Sequence, residues 1–349
     1  MKSITIGNRQ IGPGQPCFII AEVGVNHNGD PELAKRMIDA VAEAGVDCVK
    51  FQTFSAEEFC NSPEDTYTYK SQGTLVTESM QGMFKRLELS RDKLGGIFEY
   101  ARKKGLIPLS TPADKQAVDL LVDLQVEAFK VGSDDLVYTP FIEYIAFKKK
   151  PIIISSGMAN AADIDRAIDV LVGAGNEEII ILHCTSLYPT PEREVNLRRI
   201  VTLESMYAYP VGFSDHSEGI TAALGAVALG ACLIEKHFTL DKNSSGPDHW
   251  FSADFVELSA LVREVRRLEK NMGSGRIWPS VEERDMANLA RRSIVAARDI
   301  PAGSQIQEAD LAYRRPGTGL LPFDRTKVLG KAPRRTLSRG TLINLLDLE

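Results

Sequence analysis

The sequence predicts a (β/α)8 TIM barrel followed by a small, mostly-β second domain. Eight short apolar runs each end in a polar or charged residue, and each is followed by a segment with helical spacing. The 349 residues exceed the roughly 250 of a typical barrel, which leaves room for another domain. An open, doubly wound sheet is the alternative that the same alternation of strands and helices allows.

The eight runs predict the barrel strands, with Gly or Pro at several of the joins. In chain order they are Phe18–Ala21, Cys48–Val49, Leu106–Leu109, Ala128–Phe129, Ile152–Ile154, Ile179–Leu182, Val211–Phe213 and Cys232–Ile234. Helical patterns between and after them include Glu32–Ala44, Asp92–Lys104, Gln116–Leu124, Ala162–Ala174 and Asp254–Met272. The apolar stretch Ile220–Ile234 is too short and too interrupted to span a bilayer, so it predicts a buried helix that leads into the last strand.

The second domain begins where the helical pattern breaks. Gly273–Ser280 contains two glycines, Trp278 and Pro279, which mark a linker. We therefore predict a barrel over residues 1–272, a linker over 273–290 and a mostly-β domain over 291–349. The short strands predicted in this last domain are Ser293–Ala297, Leu311–Arg315 and Thr341–Leu345, separated by turns.

The composition is that of an ordinary soluble globular enzyme, with 44% hydrophobic and 25% charged residues. The net charge of −6 is unevenly shared: from residue 273 onward 13 Lys and Arg face 9 Asp and Glu, so that part carries +4 and the preceding part −10. Such a basic module either leans over an anionic ligand or is a solvated surface. We expect no nucleic-acid partner and no membrane segment. The N-terminus has no secretory pattern and the five cysteines have no metal-binding spacing, which predicts a cytoplasmic protein.

Cations and hydroxyls follow several of the predicted strands. Lys50, Lys130 and Lys236 come directly after strands, where an ammonium group can bind a phosphate or carboxylate, form a Schiff base or simply complete an ion pair. The hydroxyls at matching positions belong to Ser110, Thr111, Ser133, Ser155, Ser156 and Ser214. Because the carboxyl ends of barrel strands surround one pocket, this set predicts a site for an oxyanion.

Two histidines follow the last two strands. His216 and His237 would lie on neighbouring strands, close enough to share one metal ion, although a pair of hydrogen-bonded histidines is the alternative. Two imidazole ligands leave positions open for water and substrate, and the lack of a nearby Cys favours Mn²⁺. His183 is expected in the interior, while His27 and His249 lie in loops and could be either structural or functional.

One carboxylate, Glu22, ends the first strand and precedes the turn-rich stretch Asn26–Gly29. If burial raises its pKa, it can donate or accept a proton during catalysis. The alternative is that Glu22 only pairs with Lys50.

The ordered motifs of the chain, from about Ile4 to Leu348, resemble those of the sialic acid synthase family. The motifs are Ile20–Gly29, Val49–Gln52, Phe129–Ser133, Ile154–Met158, His183–Thr190, Gly212–His216, Ile234–Phe238, Gly246–His249 and Arg315–Gly317. The resemblance implies a barrel followed by an antifreeze-like (SAF) domain. It also implies a head-to-tail homodimer in which the SAF domain of one subunit caps the barrel of the other.

The same resemblance implies condensation of phosphoenolpyruvate with an N-acetylmannosamine-type sugar to a nine-carbon 2-keto-3-deoxy acid, with release of phosphate. His216 and His237 would hold Mn²⁺ or another divalent ion such as Mg²⁺ or Co²⁺, and Glu22 would be the acid or base. The residues that match phosphoenolpyruvate-binding positions are Lys50, Thr111, Lys130, Ser133, Ser155 and Ser214. Those that match sugar contacts are Gln52, Tyr188 and Asp248, together with Arg315 from the partner subunit.

Two departures from the family pattern leave the acceptor sugar open. Asp135 stands where many sialic acid synthases have Glu, and Ser186 stands where some have Asn. Both positions would lie near the substrates, and related branches make legionaminic or pseudaminic acid from di-N-acetylated 6-deoxy sugars. Two other classes of function remain: a Schiff-base aldolase that uses Lys130 or Lys50, and a carbohydrate- or ice-binding protein that uses the second domain.

Overall fold

A computed structural model of the protein describes residues 2–349. The chain forms two compact units, one ending at Gly273 and one comprising Ser274–Glu349. The division falls at the glycine that follows the last long helix of the first unit. In residues 2–349 no helix is both long and apolar enough to cross a bilayer.

The strands and helices are numbered in chain order. The strands are β1 (Ile4–Ile6), β2 (Arg9–Ile11), β3 (Phe18–Gly24), β4 (Cys48–Thr53), β5 (Thr66–Ser71), β6 (Thr74–Ser79), β7 (Ile107–Pro112), β8 (Phe129–Val131), β9 (Ile152–Ser155), β10 (Ile179–Cys184), β11 (Val211–Asp215), β12 (Leu233–His237), β13 (Ser293–Ala296) and β14 (Leu311–Arg314). The helices are α1 (Pro31–Ala44), α2 (Ala56–Phe59), α3 (Met80–Leu87), α4 (Arg91–Lys103), α5 (Lys115–Asp123), α6 (Thr139–Ala146), α7 (Ala161–Gly173), α8 (Arg198–Met206), α9 (Thr221–Ala228), α10 (Phe255–Met272) and α11 (Val281–Ala290).

Eight parallel strands form the sheet of the first unit, in the order β7-β4-β3-β12-β11-β10-β9-β8. The two end strands of this order, β7 and β8, also lie side by side, so the sheet nearly closes into a barrel. Around that barrel the eight strands follow one another in chain order. A doubly wound sheet would instead reverse its strand order at a switch point. The predicted (β/α)8 barrel is therefore confirmed, and the open-sheet alternative is wrong.

Two apolar layers hold the barrel together. The outer layer lies between strands and helices and includes Val49, Phe213 and Ile234. The inner layer fills the barrel and includes the side chains of the β1–β2 hairpin. Its members are Ile4, Ile6, Ile11, Phe18, Ile20, Cys48, Ile107, Leu109, Ala128, Ile153, Ile180, Leu182, Cys232 and Leu233. Because the hairpin packs with residues at the strand starts, it closes the amino end of the barrel, and the carboxyl ends of the strands remain for chemistry.

Each predicted barrel strand lies at a real one, but several real strands run further at their carboxyl ends. β4 reaches Thr53 and β10 reaches Cys184, although their apolar runs end earlier. The extra residues that face the pocket, such as Lys50, Gln52 and Cys184, alternate with residues that face outward, and the backbones of both still pair with neighbouring strands. The helix boundaries agree more closely, because capping residues such as Asp30 and Asp254 mark them.

Several elements of the first unit are absent from the prediction. They are the β1–β2 and β5–β6 hairpins and helices α2, α3, α6 and α8. A signal for the second hairpin exists in the sequence, since Gln72 and Gly73 form a two-residue turn with φ of 50° and 80°. A polar residue followed by Gly, with both at positive φ, is the turn that joins tightly paired antiparallel strands.

The second unit is small and built around β13 and β14, which pair antiparallel. Its core consists of Ile294, Ala296, Ile300, Ile306, Leu311, Val328, Leu337, Ile343 and Leu348. The prediction of a strand at Thr341–Leu345 is wrong, because this segment forms only one isolated bridge, between Leu342 and Val295. Helix α11 occupies much of the segment 273–290 that was expected as a linker, and its Ser280–Glu283 capping box explains why it begins there.

Candidate active site

Side chains along the barrel strands alternate between inward and outward positions. The inward ones place buried polar groups at the carboxyl end of the barrel, which is called the mouth below. Along a strand, every second residue faces the interior, so Glu22 follows the inner-layer Ile20 at this spacing, and Lys50 follows Cys48. The same two-residue spacing brings inward the side chains of Lys130, Ser155, Cys184, Ser214, Glu235 and His237. The predicted convergence of strand-end groups is therefore present in the geometry.

Four buried charges form the floor of this mouth. Lys50 pairs with Glu22, and its Nζ lies 3.7 Å from Glu235 Oε2. Lys130 Nζ lies 3.9 Å from Glu235 Oε1. All four residues are at most 5% exposed. Two ammonium and two carboxylate groups balance, which is what allows them to be buried.

Hydroxyl groups surround the two lysines. Lys50 Nζ donates to Thr111 Oγ1 at 3.0 Å, and Lys130 Nζ donates to Ser155 Oγ at 2.7 Å. Ser214 Oγ donates to Glu235 Oε1 at 3.1 Å. These hydroxyls can turn toward an anion that the two ammonium groups attract.

A second hydroxyl cluster lies at Gly157, in the loop after β9. The amide of Gly157 donates to Ser133 Oγ at 3.0 Å, and a Cβ placed on Gly157 would come within 2.6 Å of that oxygen. The Oγ of Ser186 is buried without a hydrogen-bond partner and lies closer still to that Cβ position. The missing side chain of Gly157 thus leaves room for polar atoms directed into the mouth.

The burial of Glu22 changes its proton affinity. Removal from water raises the pKa of this carboxyl to about 7, against the opposing effect of Lys50. Gln52 Nε2 donates to Glu22 Oε1 at 3.2 Å, which fixes the orientation of the carboxyl group. A group with this pKa can exchange a proton near neutral pH, as an acid or base must.

The pKa values of the two lysines and of Glu235, the carboxylate that they share, shift in different directions. Burial lowers the pKa of Lys130, and Glu235 opposes this only in part. Burial also acts on Lys50, but the carboxylates of Glu22 and Glu235 outweigh it and raise the pKa of that lysine. Burial acts to raise the pKa of Glu235, but the two ammonium groups lower it. Lys50 and Glu235 are thus the firmly charged members of the cluster.

His216 and His237 lie next to each other, with ring centroids 5.3 Å apart. A hydrogen bond from His216 Nδ1 to the carbonyl of Thr185, at 3.0 Å, leaves Nε2 free to bind a ligand. His237 Nδ1 is buried without a hydrogen-bond partner, and Asp248 Oδ2 lies 3.7 Å from it. Burial and the neighbouring His216 hold the pKa of His237 well below its ordinary value, so its imidazole is neutral, the form that binds metals.

The pair fits a divalent metal of the open, catalytic type. Within residues 2–349 no group of three or more His, Cys, Asp and Glu side chains is arranged to hold an ion. Two imidazoles would therefore leave coordination positions for water and substrate. Burial acts to lower the pKa of His216, but contact with Cys184 and the Thr185 carbonyl raises it, so an ion would displace a proton there.

Aromatic and acidic residues form the outer wall beside the two imidazoles. The ring of Tyr188 lies 4.2 Å from that of His216 and 5.4 Å from that of Phe251, measured between centroids. Burial raises the pKa of Asp248 to about 6, and burial together with Asp134 raises that of Asp135 to about 7. A flat ring beside carboxyl groups suits a sugar, which offers both C–H faces and hydroxyls.

Some predicted candidates lie outside the mouth. His183 faces the outer layer and its Nε2 is 2.6 Å from the Val195 carbonyl, while Ser110 bonds to Thr53 at 2.7 Å. Lys236 binds Asp215 Oδ2 at 2.8 Å on the outer side of the sheet. These residues occupy the alternate, outward positions of their strands.

The remaining two histidines belong to loops at the mouth. His249 Nδ1 is 2.7 Å from Thr239 Oγ1, and its Nε2 is 3.3 Å from Asn28 Nδ2. His27 Nδ1 accepts from the amide of Gly29 at 3.0 Å. Arg315 lies in the second unit, directly after β14.

Glu235 is the member of the cluster to which sequence reasoning gave no role. It lies within 4.0 Å of both Lys50 and Lys130 and is 5% exposed. Its position at the end of the eighth apolar run was the available signal, but only the barrel shows that it faces both lysines.

Comparison with known proteins identifies the family. Residues 37–277 match the model of the NeuB family, and residues 291–349 match the SAF domain. The chain is 40% identical over 341 residues to N,N'-diacetyllegionaminic acid synthase of Legionella pneumophila, covering 97% of this chain and 96% of that protein. It is 38% identical over 329 residues to human N-acetylneuraminate-9-phosphate synthase, covering 93% of this chain and 90% of that protein.

A solved structure agrees with this assignment. The N-acetylneuraminic acid (sialic acid) synthetase from Leptospira borgpetersenii, crystallised with citrate, matches with a TM-score of 0.75 and 36% identity. The match covers 82% of this chain and 95% of that one. The chain therefore belongs to the NeuB family of synthases, with a SAF domain after its barrel, and the resemblance to sialic acid synthases that its motifs predict is confirmed.

Proposed function

We propose that this protein condenses phosphoenolpyruvate with an N-acetylated amino sugar to a nine-carbon 2-keto-3-deoxy acid and releases phosphate. The observation that carries the proposal is the buried cluster of Lys50, Lys130 and hydroxyls beside His216 and His237. Relatives that are 38–40% identical and match over nine tenths of the chain are named as synthases of such acids, which supports it.

Phosphoenolpyruvate carries a phosphate and a carboxylate, and the mouth offers groups for both. Lys50 and Lys130 supply two positive charges that would exchange part of their present carboxylate contacts for the ligand. The hydroxyls that would complete the binding are those of Thr111, Ser133, Ser155 and Ser214. Glu235 remains between the lysines and keeps them in place.

A divalent ion, Mn²⁺ or alternatively Mg²⁺ or Co²⁺, is proposed at His216 and His237, whose free nitrogens fit it. When bound, such an ion supplies Lewis-acid polarisation of the open-chain sugar aldehyde, so that C3 of phosphoenolpyruvate can attack it. The rings of Tyr188 and Phe251 pack against those of His216 and His237.

Glu22 is proposed as the group that moves a proton. Water adds at C2 of the condensed product, and the resulting tetrahedral centre expels phosphate. A carboxyl with a pKa of about 7 can take the proton from that water or give one to the new sugar hydroxyl. Gln52 contacts Oε1 of this carboxyl and Lys50 contacts Oε2, so both oxygens are held in place.

The sugar would lie against Gln52, Tyr188 and Asp248, with Asp135 and Ser186 nearby. N-acetylmannosamine is the first candidate acceptor. A di-N-acetylated 6-deoxy sugar is the second, and the 40% identity to a diacetyllegionaminic acid synthase favours testing it. Relatives named pseudaminic acid synthases, at 34% identity, add a third stereochemistry to the test.

The proposed working form is a cytoplasmic homodimer in which Arg315 of each SAF domain reaches the partner's barrel. The excess of positive charge after residue 273 supports an attraction toward an anionic ligand. All five cysteines are buried and free, which agrees with a reducing compartment. We propose no nucleic-acid or membrane partner.

One incubation tests the reaction. Purified protein is mixed with phosphoenolpyruvate, Mn²⁺ and a panel of 2-acetamido sugars, the phosphate released is measured, and products are identified by mass. We expect one sugar to give a product equal to its own mass plus the pyruvate unit. His216→Ala and His237→Ala should abolish turnover and Mn²⁺ binding while circular dichroism stays unchanged. Wild-type turnover in either variant would contradict the proposal.

A Schiff-base aldolase is the second candidate, because burial lowers the pKa of Lys130 and so favours its neutral amine. Borohydride in the presence of pyruvate would trap a covalent adduct on this lysine and would support the aldolase. Phosphate release that a chelator abolishes, without any trapped adduct, excludes it.

A further inference from the structure

Lys236 and Asp215 form a buried ion pair that the proposed reaction does not use. Lys236 Nζ lies 2.8 Å from Asp215 Oδ2, and the two residues are 2% and 1% exposed. They are direct partners in the register of β11 and β12. Each immediately precedes a proposed metal ligand, since His216 follows Asp215 and His237 follows Lys236.

The pair lies on the outer side of the barrel wall, away from the substrate. Its positions on the strands match those of Phe213 and Ile234, which belong to the apolar layer under the helices. Two charges in such a layer are costly, and apolar residues of similar size are often as stabilising there. Stability alone therefore does not account for the pair.

The hydrogen bonds of the pair involve the residues on both sides of His216 in the chain. Lys236 Nζ donates to the carbonyl of Ser217 at 2.7 Å, and Asp215 Oδ1 accepts from the amide and the hydroxyl of Ser217 at 2.8 and 2.6 Å. The residues before and after His216 are thus tied to the strand that carries His237.

We propose that Lys236 and Asp215 are positioning residues that set the spacing and direction of His216 and His237, and thereby the affinity for a divalent metal. The inference rests on the metal site of the proposed function. Groups that orient metal ligands from behind change affinity by about 10- to 100-fold when they are removed.

The test replaces both charges at once, with Lys236→Met and Asp215→Leu, so that neither charge is left unpaired. Mn²⁺ binding is measured by the electron paramagnetic resonance signal of free Mn²⁺, and folding by thermal unfolding. We expect a folded protein with a Kd for Mn²⁺ about tenfold weaker or more. A Kd within about twofold of wild type would overturn the proposal, because a purely structural pair would leave the two imidazoles in place.

Asp47→Asn is the matched control. Asp47 is also a buried carboxylate, 7% exposed, that binds an amide and two arginines, but it lies at the closed end of the barrel. We expect it to lower the unfolding temperature without changing Mn²⁺ affinity. An equal loss of Mn²⁺ affinity in this control would also overturn the proposal.

Two further measurements keep the outcomes separate. If the double variant does not fold, Asp215→Asn keeps the size and one acceptor oxygen, and it must still weaken Mn²⁺ binding for the proposal to stand. Wild-type protein that binds no Mn²⁺, or binds it equally after His237→Ala, removes the proposed metal site and this inference together. Normal wild-type binding with an unaffected double variant removes only the inference.

Discussion

At the scale of single residues, the site depends on carboxyl groups that are buried beside ammonium groups. Glu22 and Glu235 both contact Lys50, yet their proton affinities move in opposite directions. Burial dominates at Glu22 and raises its pKa to about 7, while Lys130 and Lys50 together lower the pKa of Glu235. The two carboxyl groups can therefore have different roles, one exchanging a proton and the other holding the lysines.

The raised pKa of Glu22 predicts a pH dependence of stability. Folding favours the protonated carboxyl, so its contribution is present below the unfolded pKa of 4.5 and is lost as the pH rises to about 7. Glu22→Gln removes this loss because the amide does not ionise. We expect the free energy of unfolding of the variant, relative to wild type, to increase between about pH 5 and about pH 8. Urea unfolding at both pH values measures it, and a difference independent of pH would contradict the assignment.

The hydroxyl groups packed against Gly157 predict that a side chain at this position would weaken the binding of phosphoenolpyruvate. In Gly157→Ala the new Cβ would come within 2.6 Å of Ser133 Oγ and would displace the hydroxyls of Ser133 and Ser186. We expect a KM for phosphoenolpyruvate that is raised about tenfold, with a small change in unfolding temperature. Steady-state kinetics at saturating sugar measures it.

Gly96→Ala is the control for that substitution. Gly96 is exposed in α4 and nothing lies within 4 Å of an added Cβ, so Ala should stabilise the protein by about 0.5–1 kcal/mol. Its KM for phosphoenolpyruvate should equal that of wild type. A similar KM increase in both variants would show that the Gly157 effect is not local.

The sequence predicts which residues end the strands but not which way all of them face. Lys50 and Lys130 directly follow their apolar runs, whereas Glu235 stands between Lys236 and the run that ends at Ile234. In the barrel, Lys50 and Lys130 face inward and Lys236 faces outward to Asp215. Whether a side chain at a strand end faces inward depends on the alternation along its own strand and on how that strand is aligned with its neighbours.

At the scale of elements, the barrel strands are predictable and the inserted hairpin is less so. A strand such as β9 is a run of buried apolar residues, which marks it in any context. The β5–β6 hairpin is largely exposed and polar, so its sequence contains no apolar run that would predict it. Its contacts with the rest of the barrel include two hydrogen bonds to the loop after β12, which sequence patterns do not reveal.

Those contacts predict that the hairpin can be loosened without unfolding the barrel. Ser71 Oγ accepts from the buried amide of Gly246 at 3.1 Å, and Gln72 Nε2 donates to the Asn243 carbonyl at 3.0 Å. In Ser71→Ala the amide of Gly246 loses its partner, at a cost of about 1–3 kcal/mol if it stays buried. We expect faster proteolysis within residues 66–79 and an unchanged unfolding temperature for the barrel.

Limited proteolysis followed by mass spectrometry locates the cuts. Thr68→Ala is the matched control, since its hydroxyl lies 2.8 Å from that of Thr77 within the hairpin and is exposed to water. This control should be cut at the wild-type rate. If Ser71→Ala is cut no faster than Thr68→Ala, the hydrogen bond to Gly246 does not hold the hairpin.

At the scale of the whole molecule, chain order explains why the barrel could be predicted. Consecutive strands are neighbours in the sheet, so eight runs separated by helices leave few other closed arrangements. The assembly is different, because a subunit interface depends on two surfaces that no single-chain pattern relates. The uneven charge of the two parts of the chain is the sequence feature that bears on the proposed dimer.

Complementation between inactive variants tests the proposed head-to-tail dimer. One variant carries His237→Ala and an intact SAF domain, and the other carries Arg315→Ala and an intact barrel. If Arg315 serves the partner's barrel, a mixed dimer joins one intact barrel to one intact SAF domain. After random subunit exchange about half of the dimers are mixed, so roughly a quarter of wild-type activity should return. Activity at a sugar concentration near the wild-type KM measures the recovery.

The control mixes the Arg315→Ala variant with a subunit that carries both substitutions, which supplies no intact SAF domain and should restore nothing. If Arg315 instead acts on its own barrel, the two single variants together remain as inactive as each alone. Recovery in the first mixture and none in the second would place the arginine of one subunit at the reaction of the other. Part of the excess positive charge of the second unit would then lie beside the substrates held by the partner's barrel.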